Sequence, residues 1–401
     1  MQPSTRHHIA RSFRKRNSGF SLIEIMVGMV IALLGTIVMM NVFSVFEAQK
    51  RTTTGGSDLQ NNGAIALFSM QRTIEQAGYG ISKNVDMFGC NLGYTTTGGA
   101  AVSVPIAPVT INPPTSLVPA GDANTDTLLL MYARGAEQPS GDEIISHPSG
   151  QDPVTDVTVN SIGMWHPGDQ VIVMPLARPS PSCNLTLTTI QSIVTGSSTV
   201  TTADGIAAAI FPNVAKTATT GSGWLYNMGN NGFNFVVQAY AIRNGNLTMC
   251  DYTANNCGDG TQTNNSAYWL PIGNDIVSMR AEYGRDDPTV DQTQYGSPAM
   301  KGLVNTYDQT TPVSTSTTFA CDWGRISAIR LVLVGRNDQP NPKPVTTSAP
   351  TWTDSSAVPI DLSGTNPMLP TNFTWQNYRY KTFETTIALR NIAMRGIYTG
   401  C

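Results

Sequence analysis

Residues 14 to 35 read "RKRNSGFSLIEIMVGMVIALLG", and this stretch decides how the chain begins to fold. Three basic residues and a Ser-Gly pair precede a long apolar run. From Phe20 to Phe46 there are 27 residues, and Glu24 is the only ionisable one. At about 1.5 Å per residue, a helix over these residues extends about 40 Å, which is enough to cross a bilayer. The pattern predicts a membrane-spanning helix over residues 20–50.

A buried core helix and a secretory signal both fit this run less well. The buried core helix of a soluble protein rarely continues so far without a charged residue. A cleavable secretory signal has an apolar stretch of about 7–15 residues followed by a small-residue cleavage site. Here the apolar run is longer, and the small residues precede it. We therefore expect an anchor that stays in the mature chain.

Glu24 needs a partner if the helix lies in lipid. A charged side chain at the centre of a membrane helix costs at least about 2.5–3.5 kcal/mol, and less near the ends. Cleavage between Gly19 and Phe20 would create a positive amino group about one helical turn from Glu24. The carboxylate could pair with this amine in the same chain or in a neighbouring copy. The sequence thus predicts a helix that associates with other helices.

The segment Gly19-Phe20-Ser21-Leu22-Ile23-Glu24 resembles the N-terminal signature of type IV prepilins. The resemblance implies that a prepilin peptidase cleaves after Gly19 and methylates the amine of Phe20, and that Glu24 takes part in subunit assembly. It also implies storage in the inner membrane as a single-pass protein with a periplasmic C-terminal domain. The helix over residues 20 to about 50 would then pack in the core of a filament at the cell surface.

A second, amphipathic helix is predicted over residues 51–78. Thr52 to Ser57 should form a weak point or bend, because glycine and β-branched threonine are poor helix formers. Asp58 is the predicted N-cap, and Gly78 is predicted to end the helix. Apolar residues at helical spacing predict the face that packs on a sheet: Leu59, Ala66, Met70, Ile74 and Ala77.

Short apolar runs separated by Gly, Pro, Thr, Asn and Ser fill the chain from Tyr79 onward. "DIVSMRAEY" and "KTFETTIALR" alternate as half-buried strands do, whereas "RISAIRLVLVG" and "FNFVVQAYAIR" are typical of central strands. "TLLLMYA" and "DQVIVMP" predict shorter strands. We therefore predict an α+β fold in which a long N-terminal helix, with a membrane half and an amphipathic half, packs on a large antiparallel β-rich C-terminal domain. The predicted parts are a cleaved basic leader (1–19), a hydrophobic helix (20–50), an amphipathic helix (51–78) and a β-rich domain (79–401).

All six cysteines follow the predicted membrane helix: Cys90, Cys183, Cys250, Cys257, Cys321 and Cys401. An even number of cysteines in an exported domain favours disulfides. The polar, turn-rich "DYTANN" between Cys250 and Cys257 predicts that these two pair with each other. The pairing of the other four stays open.

Composition and motifs argue against several functions. The chain has no Gly-x-Ser-x-Gly, His-Glu-x-x-His or phosphate-loop motif, so we expect no enzymatic activity. Without residues 1–19 it has 19 basic and 27 acidic residues, which argues against nucleic-acid binding. No metal site is predicted, because the histidines are isolated and no Cys-x-x-Cys occurs. Asp251, Asp259 and the "RDDPTVD" stretch could hold calcium, although their spacing does not match a calcium loop. No other cofactor is expected.

Later segments sharpen the resemblance. "DLQNNGAIALFSMQRTIEQAGYG" (residues 58–80) and Phe88-Gly89-Cys90 are similar to type IV pilus assembly protein W, a minor pilin. "VSMRAEYG", "WGRISAIRLVLVGR" and "FETTIALRN" resemble its later strands, whereas roughly residues 95–225 carry no resemblance to this family. The family implies a minor pilin that helps to start or assemble the pilus, and so supports twitching motility or attachment. Its partners would be other minor pilins, the major pilin, the prepilin peptidase and the inner membrane. A minor pseudopilin of type II secretion and a pilus-tip adhesin stay open as alternatives.

Overall fold

A computed structural model describes residues 19–134, 140–148, 153–176, 178, 183–206, 223–230, 235–287, 302–313, 318–352, 359–363, 369–370 and 372–393. The predicted leader lies outside this part of the chain, except for Gly19. The chain divides into two units, Met1–Gly55 and Gly56–Cys401, and each is described by itself.

The N-terminal helix, α1, runs from Leu22 to Gln76 without interruption. The predicted weak point at Thr52–Ser57 and the predicted N-cap at Asp58 are therefore wrong. The hydroxyl of Thr53 donates to the carbonyl of Gln49 (3.0 Å), so this threonine is accommodated within the helix. A helix that exists on both sides extends through poor helix formers at up to about 1 kcal/mol per glycine, whereas stopping would require a second, unfavourable nucleation.

Seventeen strands and two short helices follow α1 in the described residues. The strands are β1 (Asn91–Thr95), β2 (Ala101–Pro105), β3 (Val109–Ile111), β4 (Leu128–Tyr132), β5 (Asp142–Ser146), β6 (Val154–Val159), β7 (Gln170–Pro175), β8 (Asn184–Val194), β9 (Thr199–Ile206), β10 (Gly223–Gly229), β11 (Val236–Arg243), β12 (Asn246–Asp251), β13 (Leu270–Gly273), β14 (Ile276–Arg285), β15 (Thr306–Asp308), β16 (Ile326–Arg336) and β17 (Tyr380–Ala388). The short helices are α2 (Phe319–Gly324) and α3 (Arg390–Ala393). The prediction of a β-rich domain behind a long helix is confirmed.

Two antiparallel sheets form the platform on which the second part of α1 lies. One has four strands in the order β15-β14-β16-β17, and the other has five in the order β13-β12-β11-β4-β3. The two runs predicted as central strands are β16 and β11, and each has a neighbour on both sides. The platform is defined here as these two sheets together with the part of α1 from Gly56 to Gln76.

Close contacts fix α1 on this platform. The predicted apolar stripe is buried, with each member at most 7% exposed: Leu59, Ala66, Met70, Ile74 and Ala77. Gly63 faces the ring of Phe383 on β17, and Gly335 on β16 faces the side chain of Leu59. A Cβ atom at Gly63 would lie 2.1 Å from that ring, so the helix approaches the sheet this closely only because the residue has no side chain. The helix ends where predicted, because Gly78 follows with a φ of +81°.

The remaining strands of the described chain form a third sheet that closes on itself. The six consecutive strands β5 to β10 pair in the cyclic order β8-β7-β10-β5-β6-β9, and β9 pairs again with β8. We call this closed sheet the barrel. Eleven buried side chains fill its interior: Ile144, Val154, Val157, Val159, Trp165, Val171, Val173, Ile190, Val200, Ile206 and Leu225. Thus the barrel, which forms the larger part of residues 95–225, has a hydrophobic core of its own.

The barrel is an insertion between two neighbouring strands of the platform. Strand β4 ends at Tyr132, and β11 begins at Val236, yet these two residues are paired across the five-stranded sheet. The chain therefore leaves and re-enters the platform at one place. On its outer side the barrel touches the platform core through Ile172, Met174 and Tyr226. Strand β8 also pairs in parallel with β1, which continues the sheet to β2.

Candidate assembly surface

The N-terminal end of α1 holds the three residues that the prepilin signature singles out. Gly19 and Phe20 precede the helix, and Phe20 is 79% exposed. Glu24 lies in the first turn, and its backbone N–H donates to the carbonyl of Ser21 (2.9 Å). A carboxylate in the first turn interacts favourably with the positive end of the helix dipole.

The part of α1 that follows Glu24 in the sequence is apolar on every side. All residues from Leu22 to Phe46 are exposed, and the large apolar side chains range from 49% exposed at Ile25 to 77% at Phe43. The segment Leu22–Glu47 is long and apolar enough to cross a membrane. Soluble proteins rarely expose an apolar surface of this extent, so it requires either lipid or other apolar helices as its surroundings.

The other end of α1 is held by a residue that the sequence reasoning missed. The side-chain amide of Asn391 donates towards three carbonyls at the end of the helix, those of Glu75, Gln76 and Ala77 (3.1–3.5 Å). The last carbonyls of a helix lack partners within it, and the amide adds a donor to these three, of which Gln76 also accepts from the N–H of Tyr79. The guanidinium of Arg390 lies 3.8 Å from the carboxylate of Glu75. No local pattern in "ALRNIA" indicates this role, because the contact joins residues more than 300 positions apart.

A buried carboxylate fastens the two sheets of the platform and was also missed. Asp126 accepts hydrogen bonds from the backbone N–H of Ala281 (2.9 Å) and from the amides of Asn112 (3.0 Å) and Gln309 (2.6 Å). The guanidinium of Arg280 lies 3.4 Å away. A buried polar group is tolerated when hydrogen bonds of this kind satisfy it. The donors come from both sheets, so the hydrogen bonds to Asp126 hold the two sheets together.

Disulfides secure the β-rich part. The predicted pair, Cys250 and Cys257, forms a disulfide in the structure. Cys90 and Cys183 form a second one, which joins the residue before β1 to the residue before β8, the two strands that pair in parallel. Cys321 is also disulfide-bonded, and Cys401 lies beyond the described residues. Disulfides are typical of oxidising compartments, so these bonds fit an exported domain.

Asp251 and Asp259, the two loop residues considered for calcium, stabilise tight turns. Asp251 accepts hydrogen bonds from the backbone N–H (2.9 Å) and the hydroxyl (2.7 Å) of Thr253. Asp259 makes the same two contacts with Thr261 (2.9 and 2.7 Å). The hydroxyl of Thr261, followed by its N–H, lowers the pKa of the Asp259 carboxyl below its ordinary value. These carboxylates already have donors from within their own loops.

The "RDDPTVD" stretch is described only as far as Asp287. The carboxylate of Asp286 accepts a hydrogen bond from the N–H of Gly302 (2.9 Å), and the N–H of Asp287 donates to the side chain of Asn305 (2.8 Å). These bonds join the two ends of the connection between β14 and β15. Among the residues that the structure describes, no group of three His, Cys, Asp or Glu side chains is placed to hold a metal ion.

Comparisons with known proteins give two family matches. Residues 14–40 match the model of the prokaryotic N-terminal methylation motif, and residues 235–391 match that of type IV pilus-assembly protein W. The second match begins where the chain re-enters the platform after the barrel, and it ends at Asn391. The resemblance inferred from the sequence is confirmed. The chain is thus type IV pilin-like at its N-terminus and carries a segment of the pilus-assembly protein W type.

Among solved structures, one that is similar to this chain is a type IV-like pilin from Thermus thermophilus. The two share 12% sequence identity, and the match covers 57% of this chain and 86% of that chain. Its TM-score is 0.19, which does not establish a shared arrangement of elements. A comparison with curated proteins finds no match. The similarity of this chain to pilins therefore rests on the two family matches.

Proposed function

We propose that this chain is a minor pilin that helps to start or assemble a type IV pilus by packing its N-terminal helix against those of other pilins. The observation that carries the proposal is the exposed, uncharged surface behind Glu24. All residues from Leu22 to Phe46 are exposed, so this surface is available for contacts with other helices. The match to pilus-assembly protein W supports the same role. Helix packing needs no catalytic step, and none is assigned.

The first step of this function is processing of the leader. We infer that a prepilin peptidase cleaves between Gly19 and Phe20 and methylates the new amine, as the methylation-motif match supports. Mass spectrometry of the membrane form should find a methylated Phe20 at the N-terminus. Replacing Gly19 with leucine should leave the leader attached, whereas the neighbouring Ser18→Ala should be processed normally. A mature chain that starts beyond Phe46 would contradict the prepilin assignment.

Glu24 is the residue to which we assign subunit assembly. Its carboxylate would pair with the amine at Phe20 of an adjacent pilin and so set the axial register between helices. Glu24→Ala should therefore be processed and inserted in the membrane but should recover fewer partner pilins on co-purification. Glu47→Ala, at the other end of the apolar run, is the matched control and should recover them at the normal level. Equal recovery by both variants would exclude the pairing role.

The compartment follows from the same features. We infer that the mature chain is stored in the inner membrane with its β-rich part in the periplasm, and that it then moves to the pilus. The basic leader favours a cytoplasmic N-terminus, and the disulfides fit the oxidising periplasm. Its partners would be the major pilin and other minor pilins. Protease protection in spheroplasts tests this orientation, since only the β-rich part should be digested from outside.

A second candidate function, contact with a surface at the pilus tip, is favoured by the inserted barrel. The barrel has its own core and lies outside both family matches, so its outer strands can vary without changing the apolar helix. Deletion of the gene separates the functions. Loss of pili supports the assembly role, normal pili with poor attachment support an adhesin, and lost protein secretion with normal pili indicates a pseudopilin.

We also propose that the folded chain needs no cofactor. The carboxylates of Asp251 and Asp259 accept hydrogen bonds within their own turns, which supports this view. A chelator should leave the thermal unfolding midpoint unchanged. A midpoint that falls with chelator and recovers with added calcium would show that a loop holds this ion, since a ligand that binds the folded state raises its stability.

A further inference from the structure

The last strand of the platform, β17, has an open edge. It pairs with β16 over all nine of its residues, without a bulge. Within the part of the chain that the structure describes, no strand pairs with its other side. The other strands at sheet edges, β2, β3, β13 and β15, have three to five residues. Folded proteins usually keep edge strands short or cover them, because an open edge attracts other strands, and β17 is the exception.

Hydrogen bonds at the two ends of β17 show which of its backbone groups point outward. The N–H of Asn337 donates to the carbonyl of Arg379 (3.0 Å), and the N–H of Leu389 donates to that of Ser327 (2.8 Å). Bonded and non-bonded pairs alternate along an antiparallel ladder, so the odd-numbered residues of β17 bond to β16. The N–H and C=O groups of the even-numbered residues point to the open side: Tyr380, Thr382, Glu384, Thr386 and Ala388.

The second half of this edge is exposed to solvent. Glu384, Thr386 and Ala388 are exposed, and they share one face of the sheet because side chains alternate along a strand. Phe383 and Lys381 lie on the opposite face, towards α1, and the ammonium group of the lysine lies 5.8 Å from the centre of the aromatic ring. Glu384 is therefore the only charged residue on the outer face of β17.

Strand β17 runs beside the second part of α1. Phe383 faces the helix at Gly63, and Asn391, three positions after the strand, donates to the carbonyls of Gln76 and Ala77. The strand and the helix therefore run in the same direction. A strand added to the open edge would extend the sheet on which α1 lies.

We propose that the open edge of β17 accepts an extended strand from the β-rich part of a different pilin, with a lysine or arginine opposite Glu384. In strand addition the backbone hydrogen bonds give affinity and the side chains give specificity. Side chains of opposite charge that face each other across two strands stabilise the pair. This inference rests on the proposed function, because that function brings other pilins to this chain.

A second copy of this chain fits the edge less well. Two copies related by a two-fold axis would pair their β17 edges antiparallel, so that even-numbered residues face even-numbered residues. Glu384 would then face a tyrosine, a threonine, an alanine or another Glu384, and none of these is basic. Two facing glutamates repel each other. Lys381 cannot serve as the partner, since its side chain lies on the opposite face.

Photocrosslinking tests the proposal on the full-length chain in its own membrane. The photoreactive residue p-benzoylphenylalanine replaces Thr386 in one variant and, as a control, the exposed Thr186 of barrel strand β8 in another. After irradiation, mass spectrometry of the digested products identifies the partner chain and the crosslinked peptide. Position 386 should link to a β-strand peptide of a different pilin, which is recognised by its methylated N-terminus. Position 186 should give no such product.

Two substitutions test the backbone and the charge of the edge separately. Thr386→Pro removes an N–H that points to the open side and leaves the bonds to β16 in place, whereas Thr386→Val keeps this N–H and is the control. Glu384→Lys should repel a basic partner, and Glu384→Gln should have a smaller effect. The proline and lysine variants should each lower the co-purification of the crosslinked pilin at least about fivefold. Circular dichroism confirms that each variant is folded.

Two results would each overturn the proposal. A product at position 386 that joins two copies of this chain, distinguished by different tags, would show that the partner is wrong. Normal co-purification by both Thr386→Pro and Glu384→Lys, without a product at position 386, would show that no strand is added. In the second case the proposed function stands if Glu24→Ala still reduces the recovery of pilins. It fails as well if the unsubstituted chain recovers none.

Discussion

The barrel and the platform are built from the chain in opposite ways. The barrel uses six consecutive strands, β5 to β10, and encloses its own core. The platform combines α1 with β16, β17 and Asn391, which come from distant parts of the chain. The barrel is therefore built from one continuous stretch of the chain, although β8 and its outer side chains also contact the rest of the β-rich part. The packing of the second part of α1 depends instead on contacts between the beginning and the end of the chain. Substitutions in the two regions should therefore affect the folded chain in different ways.

Removal of the disulfides should give the largest difference in the free energy of unfolding. Cys90 and Cys183 are 93 positions apart and join the start of β1 to the start of barrel strand β8, whereas Cys250 and Cys257 are 7 apart within the platform. In the chain-entropy model, replacing the first pair with alanine should lower the free energy of unfolding by about 4–5 kcal/mol, and replacing the second by about 2–3 kcal/mol. Urea unfolding of the purified chain measures both. An equal loss would mean that the longer bond does not constrain the unfolded chain as expected.

Truncation in the two cores tests the division of roles directly. Ile74→Ala in the platform and Leu225→Ala in the barrel each remove a fully buried aliphatic side chain, at a cost of about 2–5 kcal/mol. Ile74→Ala should also reduce recovery of partner pilins, because it loosens the helix that carries the assembly surface. Leu225→Ala should leave that recovery unchanged. A loss of partners in the barrel variant would show that the two regions are not independent.

Two glycines in α1 provide a matched pair within the platform. Gly63 faces the ring of Phe383, whereas nothing lies within 4 Å of a Cβ atom at Gly56. Gly63→Ala should destabilise the chain by about 1–3 kcal/mol through overpacking. Gly56→Ala should stabilise it by up to about 1 kcal/mol, since alanine is the better helix former. Thermal unfolding should shift in opposite directions, and a stabilised Gly63→Ala would contradict the close approach.

The smallest effect is expected at the end of α1. Asn391→Ala removes the donor to the carbonyls of Glu75, Gln76 and Ala77 and should cost about 1 kcal/mol. The exposed Asn61→Ala on the same helix serves as the control and should be neutral or slightly stabilising. Hydrogen exchange should show faster opening of the last turn of α1 in the first variant only. Unchanged exchange would show that water replaces the amide without loss.

Local patterns predicted the platform well. The stripe from Leu59 to Ala77, the glycine at the end of the helix and the two central strands all follow from hydrophobic periodicity and turn chemistry. The pair Cys250–Cys257 was predictable because only a short polar loop separates the two residues. The break at Thr52–Ser57 was wrong because intrinsic helix propensity is weaker than the cooperativity of a helix already formed on both sides.

Long-range contacts could not be read in the same way. Closure of the barrel depends on the pairing of β5 with β10 and of β6 with β9, and the threonine-rich strands give a weak alternation. Asp126 and Asn391 are single polar residues whose partners are set by the fold. The pairing of Cys90 with Cys183 depends on the parallel contact between β1 and β8, which no spacing indicates.

The late position of Asn391 also has a consequence for the order of folding during export. If the β-rich part crosses the membrane in chain order, as the proposed orientation requires, the barrel is complete once residue 229 has crossed, although its pairing of β5 with β10 joins residues as far apart as Asp142 and Leu225. The buried face of α1 crosses much earlier, but it lacks β17 and its cap until residues 380–391 arrive. For most of translocation this face has no native cover. With the proposed orientation, the β-rich part would therefore remain open to chaperones and proteases longest at the second part of α1.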